Sequence, residues 1–145
     1  MKKDYIHAVG RRREAVARVR LYPEIKDPIV WGEKQVEKGM IFINGKVASE
    51  YFPSSIAKMR YEQPLRIANL LGKFTVTVVV VGGGKSGQLE ALVHGLSRAI
   101  VTYDKEKFRP LLKKKGLLTR DQRAKERRKV GMGGKARRKK QSPKR

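Results

Sequence analysis

The residues whose types could do chemistry are Gly82-Gly83-Gly84-Lys85-Ser86, set between the apolar run Val78 to Val81 and a stretch of helical periodicity. A strand, a glycine-rich turn carrying Lys-Ser and then a helix are the parts of a nucleotide-binding phosphate loop, in which amides and a lysine hold phosphates. The spacing does not fit. With Gly84-Lys85-Ser86 as the closing Gly-Lys-Ser, the first glycine of such a loop falls on Val79, inside the expected strand. Two readings remain: a tight strand-to-helix turn, or a turn whose amides and Lys85 also touch a phosphate, RNA included.

Other catalytic constellations are poorly supported. The chain has no cysteine and two histidines, His7 and His94, which excludes disulfides and thiolate metal sites and leaves too few imidazoles for a metal site of their own. His94 falls mid-helix, and Glu90, Asp104 and Glu106 are scattered among cations. No catalytic residue, cofactor, metal or small-molecule substrate is expected.

The remaining chemistry is charge. The chain carries 36 Lys and Arg against 13 Asp and Glu, a formal net charge of +23. Residues 119–145 hold thirteen of those cations and two acids, Asp121 and Glu126, for a net of +11, which leaves +12 on the rest. Charge on this scale opposes compaction unless a polyanion neutralises it, and nucleic acid is the obvious candidate. The tail has only Ala124, Val130, Met132 and Ala136 as apolar members, too few to offset the entropy of ordering it, so 119–145 is expected to be extended and disordered without RNA. Within it, Thr119 and Gln122 have the form of a capping box, predicting a short helix from Arg120 to about Val130 that ends at Gly131. A second cluster runs from Lys135 to Lys140. Near the other end, Arg11-Arg12-Arg13 precede a strand bearing Arg18 and Arg20, and together they are read as a phosphate-binding stripe. No apolar run is long enough to span a bilayer, and the charge run lacks the apolar face of an interfacial helix.

These residues need a body to hold them, and 1–118 is long enough for one hydrophobic core. Ala15 to Leu21 alternates as a half-buried strand with its arginines outward. Met40 to Ile43 reads as a short strand ended by the turn pair Asn44-Gly45. Pro53 to Leu71 fits one or two short helices broken at Pro64, with Ile56, Met59, Leu65, Ile67, Leu70 and Leu71 as the apolar set. Phe74 to Val81 is the strongest strand and is expected to be central; Gln88 to Tyr103 is a helix with one face on the sheet, and Lys105 to Leu112 a second amphipathic piece. Tyr22 to Met40, with Trp31, is a long connection. Tyr5, Trp31, Tyr51, Phe52 and Tyr61 are read as core more readily than as base-stacking residues. The order favours an α+β body with helices on one face of a mostly antiparallel sheet.

Several separated stretches then agree with one family. They are Gly10 to Val19 (GRRREAVARV), Ile43-Asn44-Gly45 with Tyr51-Phe52, Gln63-Pro64-Leu65, Gly82 to Gly84 with Ser86-Gly87-Gln88, and His94-Gly95-Leu96 with Arg98-Ala99. Leu118 to Asp121, Glu126 to Lys129, Lys135 to Arg138 and Lys144-Arg145 complete the set. In these blocks the chain resembles the bacterial form of the ninth protein of the small ribosomal subunit. The resemblance implies a two-layer α+β sandwich like a domain of the fifth small-subunit protein, seated on ribosomal RNA in the subunit head beside neighbouring head proteins, in the cytoplasm. It further implies a tail that threads through RNA and ends at the P-site tRNA, with Lys144 and Arg145 as the tRNA contacts. The expected ribosomal RNA contacts are Arg11, Arg12, Arg13, Arg18, Gly82, Gly83, Gly84 and Lys85 in the body. In the tail they are Arg120, Arg123, Arg127, Arg128, Lys129, Lys135, Arg137 and Arg138. The family usually closes with an aromatic residue before Ser-Lys-Arg; here Ser142 and Pro143 stand in the aromatic and serine places. The Tyr22 to Met40 connection is also longer than the family's.

Overall fold

In the computed structural model, residues 5–23, 29–31 and 34–137 are described. They form strands β1 (Ile6–Arg12), β2 (Ala15–Tyr22), β3 (Ile29–Trp31), β4 (Lys34–Val36), β5 (Ile41–Ile43), β6 (Lys46–Val47) and β7 (Thr75–Val81). The helices are α1 (Ala48–Tyr51), α2 (Ser55–Ile67), α3 (Lys85–Tyr103) and α4 (Lys105–Lys114). The main sheet runs β1-β2-β7-β5-β6, so the β-branched β7 is central as its composition requires. All its pairings are antiparallel except β5 with β7. A separate hairpin, β3-β4, lies within the long connection.

The pleat assigns the two faces. Ala8, Gly10 and Arg12 of β1 are in register with Val19, Ala17 and Ala15 of β2, and Val19, Ala17 and Leu21 with Val78, Val80 and Val76 of β7. These positions are all buried and α3 lies over them, contributing Ala91, Leu92, Leu96, Ala99 and Ile100 to the same core. Gly10 and Gly95 permit the approach: a Cβ on Gly10 would sit 2.0 Å from the Ala91 carbonyl oxygen and 2.3 Å from the Gly95 nitrogen. The opposite face carries His7, Arg18, Arg20, Thr77 and Val79 around a small cleft of about 150 Å³. One end of that face is closed by the long connection, where the Gly39 N–H donates to Thr75 Oγ1 at 2.9 Å and Val36 and Phe42 are buried outside the main core.

Asn44 and Gly45 have φ of 48° and 79°, the positive pair that a two-residue hairpin turn demands, and they join β5 to β6. The Asn44 side chain then does the work of a strand residue: Nδ2 donates to the Val80 carbonyl and Oδ1 accepts from the Val80 N–H, both at 2.9 Å.

Three expectations are corrected. Pro64 does not break the 53–71 region; α2 runs through it to Ile67, because proline there frees only the Arg60 carbonyl and just three helical residues follow. The apolar set also divides differently: Ala57, Tyr61 and Leu65 face the core, whereas Ile56 and Met59 are 66% and 61% exposed. The helix expected from Arg120 to Val130 is absent, since residues 120–129 form neither helix nor strand. Asp121 Oδ1 instead accepts from the N–H of Arg123, two residues on, a local turn that competes with helix formation.

Candidate nucleic-acid interface

Arg11, Arg12 and Arg13 do not act as one cluster. Arg12 belongs to the face under α3 and is 8% exposed; Arg11 has the opposite parity, and Arg13 sits in the β1-β2 turn at φ 50°. Each nitrogen of the Arg12 guanidinium has a partner. Nε donates to Glu90 of α3, Nη1 donates to the Arg123 carbonyl at 2.7 Å, and Nη2 lies 3.0 Å from Asp121 Oδ2. One buried cation thus fastens the first residues beyond the body to both β1 and α3. Arg123 in turn pairs with Asp121 through Nη2 at 2.6 Å. The Asp121 carboxyl is held far below the usual carboxylate range, first by the Arg123 side-chain hydrogen bond and then by the Arg123 N–H, with desolvation opposing.

Beside this bracket, α3 closes the free edge of β1. The Arg11 N–H donates to His94 Nδ1 at 3.4 Å, and Arg98 Nη1 donates to the Val9 carbonyl at 2.6 Å. His94 is held neutral below its ordinary pKa, mainly by burial and then by the charge of Arg98, although a bond to the Leu118 backbone opposes the shift. It therefore works as a hydrogen-bonding pin between β1, α3 and the segment that leads into the tail.

The glycine turn is similarly built for packing. Gly82 and Gly83 have φ of 74° and 62°, and a Cβ on Gly82 would come within 2.4 Å of the Glu14 carbonyl oxygen. Gly84 precedes α3 as its N-cap. The Lys85 ammonium lies 3.4 Å from the centroid of the Tyr51 ring, directed onto an aromatic face. Tyr51 donates its hydroxyl to Gln88 Oε1 at 2.8 Å, and Gln88 Nε2 returns to the Gly82 carbonyl at 3.1 Å. Phe52 and Tyr61 are core residues, while Tyr5 stays near the surface under the guanidinium of Arg20, 5.0 Å from its ring centroid. The side chain of Trp31 lies outside the described residues.

Two groups of exposed cations stand out among the described residues. On the open sheet face Arg18 and Arg20 point to solvent and form no ion pair among the described residues. Beyond the body, Arg120, Arg127, Arg128, Lys129 and Lys135 are exposed. Arg137 folds back onto Glu126, with Nε 2.8 Å from Oε2, and the Lys129 N–H donates to the Lys135 carbonyl at 3.1 Å, so residues 126–137 make a closed loop. Arg138, Lys144 and Arg145 lie outside the described residues. Sequence reasoning missed β1, because Gly10 and two arginines obscure its alternation, and it left Glu90 and Asp121 without a role. Their signal was indirect: two acids in a cation-rich neighbourhood.

The family model described as ribosomal protein S9/S16 matches residues 10–145, from the β1 glycine to the last arginine. The chain belongs to the ribosomal protein S9/S16 family. Relatives in that family named small ribosomal subunit protein uS9 include one from Maridesulfovibrio salexigens, 46% identical over 134 residues and 92% of each chain. Another, from Anaeromyxobacter sp., is 47% identical over 87% of this chain and 86% of its own. A third, from Lawsonia intracellularis, is 44% identical over 91% of both. The S9/S16 match therefore takes in the Arg12 bracket and the tail together.

Proposed function

We propose that the chain is a structural, non-enzymatic constituent of the small ribosomal subunit in the cytoplasm, binding ribosomal RNA through body and tail and contacting P-site tRNA with Lys144 and Arg145. The observation that carries this reading is a family match running to Arg145, so that the basic tail belongs to the matched unit. The body contacts are assigned to Arg11, Arg13 and Arg18, with the amides of Gly82 to Gly84 and Lys85 beside them. The tail contacts are Arg120, Arg123, Arg127, Arg128, Lys129, Lys135, Arg137 and Arg138. Arg12 supports binding from inside, by fastening the start of the tail to β1 and α3. The two-layer body is assigned the architecture of a domain of the fifth small-subunit protein, placed in the subunit head among neighbouring head proteins.

Cations on an extended chain suit this role because they meet phosphates without reading sequence, and a P-site contact must accept every tRNA. Magnesium sucrose gradients test the assembly claim, which requires the protein in the small-subunit peak; association with bulk nucleic acid instead would mark a general chaperone. Deleting Lys144 and Arg145 tests the tRNA contact: subunits should assemble normally and hold P-site tRNA less well. Loss of assembly would move the function elsewhere in the tail.

A further inference from the structure

A cleft of about 400 Å³ lies between α2, the N-terminal half of α3 and residues 116–121. One wall is Ile56, two-thirds exposed although its spacing on α2 suggests a core residue. Leu89, Val93 and Leu117, all partly buried, line it elsewhere. Arg60, one turn beyond Ile56, and Arg120 also line the cleft; both are exposed and form no ion pair among the described residues. Its two acids, Glu90 and Asp121, are both bound to Arg12. The cleft therefore combines apolar walls with uncompensated guanidinium groups, and its negative charges are already neutralised from within.

We propose that this cleft takes one unstacked nucleotide of the RNA partner, its base against Ile56, Leu89, Val93 and Leu117 and its flanking phosphates at Arg60 and Arg120. The chemistry matches on both counts: a splayed base offers apolar faces that need cover, and the backbone on either side supplies the anions. The volume falls in the range of small-ligand sites and is too small for a helix or a strand pair. The site rests on the reading of the chain as an RNA-bound subunit protein, and deepens it from charge attraction to recognition of a single extruded nucleotide.

The test uses intact small subunits carrying the protein with a photoreactive benzoylphenylalanine in place of Ile56. Irradiation should join the protein to ribosomal RNA at one unpaired nucleotide. A crosslink to a neighbouring protein, or none to RNA, overturns the proposal. Because only subunits already containing the protein are irradiated, failure here differs from failure of the ribosomal assignment, which would show as absence from those subunits. Chemical probing of subunits bearing Ile56→Glu provides the second measurement. The substitution removes apolar cover from the base and sets a carboxylate beside its phosphates, so the nucleotide should become several-fold more reactive. Leu111→Glu, at an exposed site on α4, should leave it unchanged. Equal reactivity in wild type and Ile56→Glu also overturns the assignment.

Discussion

Substituting alanine for Gly10 should be among the most damaging single-methyl changes in this protein. The new Cβ would meet the Ala91 carbonyl oxygen at 2.0 Å, where ordinary contact begins at 3.4 Å, so α3 must retreat by roughly 1.4 Å. Nothing flexible can yield, because the nearest atoms are all helix backbone. The retreat would loosen the fully buried Ala91, Leu92 and Leu96 and pull Glu90 and His94 away from β1. Overpacking a core costs about 1–3 kcal/mol, and a clash with rigid backbone belongs at or above the top of that range. Against a total stability of about 5–15 kcal/mol, the loss should be plain in urea: about 3 kcal/mol lowers the midpoint by about 1–3 M at typical slopes. Gly87→Ala is the matched control. Its Cβ would lie 3.6 Å from Ala15 Cβ and from the Arg12 carbonyl oxygen, and within α3 the change should gain about 0.5–1 kcal/mol of helix propensity. Were Gly10→Ala to unfold with the wild-type midpoint and slope, the close docking of α3 on β1 would be refuted.

Three further outcomes are expected. Arg12→Ala should release residues 120–123, seen as faster trypsin cleavage after Arg120 and Arg123 in the free protein, with the helix signal of the body retained; unchanged cleavage would remove Arg12 as the bracket. His94 is neutral in the fold with a pKa below its unfolded value near 6.5, so the unfolded state binds the extra proton and stability should fall as pH drops through about 6.5, more in the wild type than in His94→Gln. If the free protein neutralises about six to ten phosphates, its affinity for naked RNA should drop on the order of a thousandfold to a hundred-thousandfold between about 50 and about 200 mM salt; a flat response would sink the charge-based account.

Legibility in the sequence followed the range of the interaction. The alternation of β2, the β-branched β7, the Asn44-Gly45 turn and the long α3 depend on neighbours within a few residues, and all were readable. The strand β1 was not, because Gly10 is there for a helix over eighty residues away and carries no hydrophobic signal of its own. Ile56 and Met59 looked like core because spacing cannot say which of two apolar stripes on a helix meets the sheet. The tail helix failed for the same reason: Thr119 and Gln122 satisfied a local rule, but Asp121 turned onto Arg123 and both were taken by Arg12, at the far end of the chain. In the site, the cationic composition was legible at once, whereas the division of Arg11 from Arg12 needed the register of β1 on β2.

The cover that His94 and Arg98 place over the outer backbone of β1 has a consequence for how copies of the chain meet one another. An open strand beside a half-bare sheet would invite a second copy to add its own strand, and newly made chains would pair with one another. With the Arg11 N–H and the Val9 carbonyl already taken by α3, that side offers no vacant ladder at those positions. The like charge of every copy adds mutual repulsion. That stretch of the edge is thereby closed to a second copy's strand, while the exposed cations of the tail stay open to polyanions.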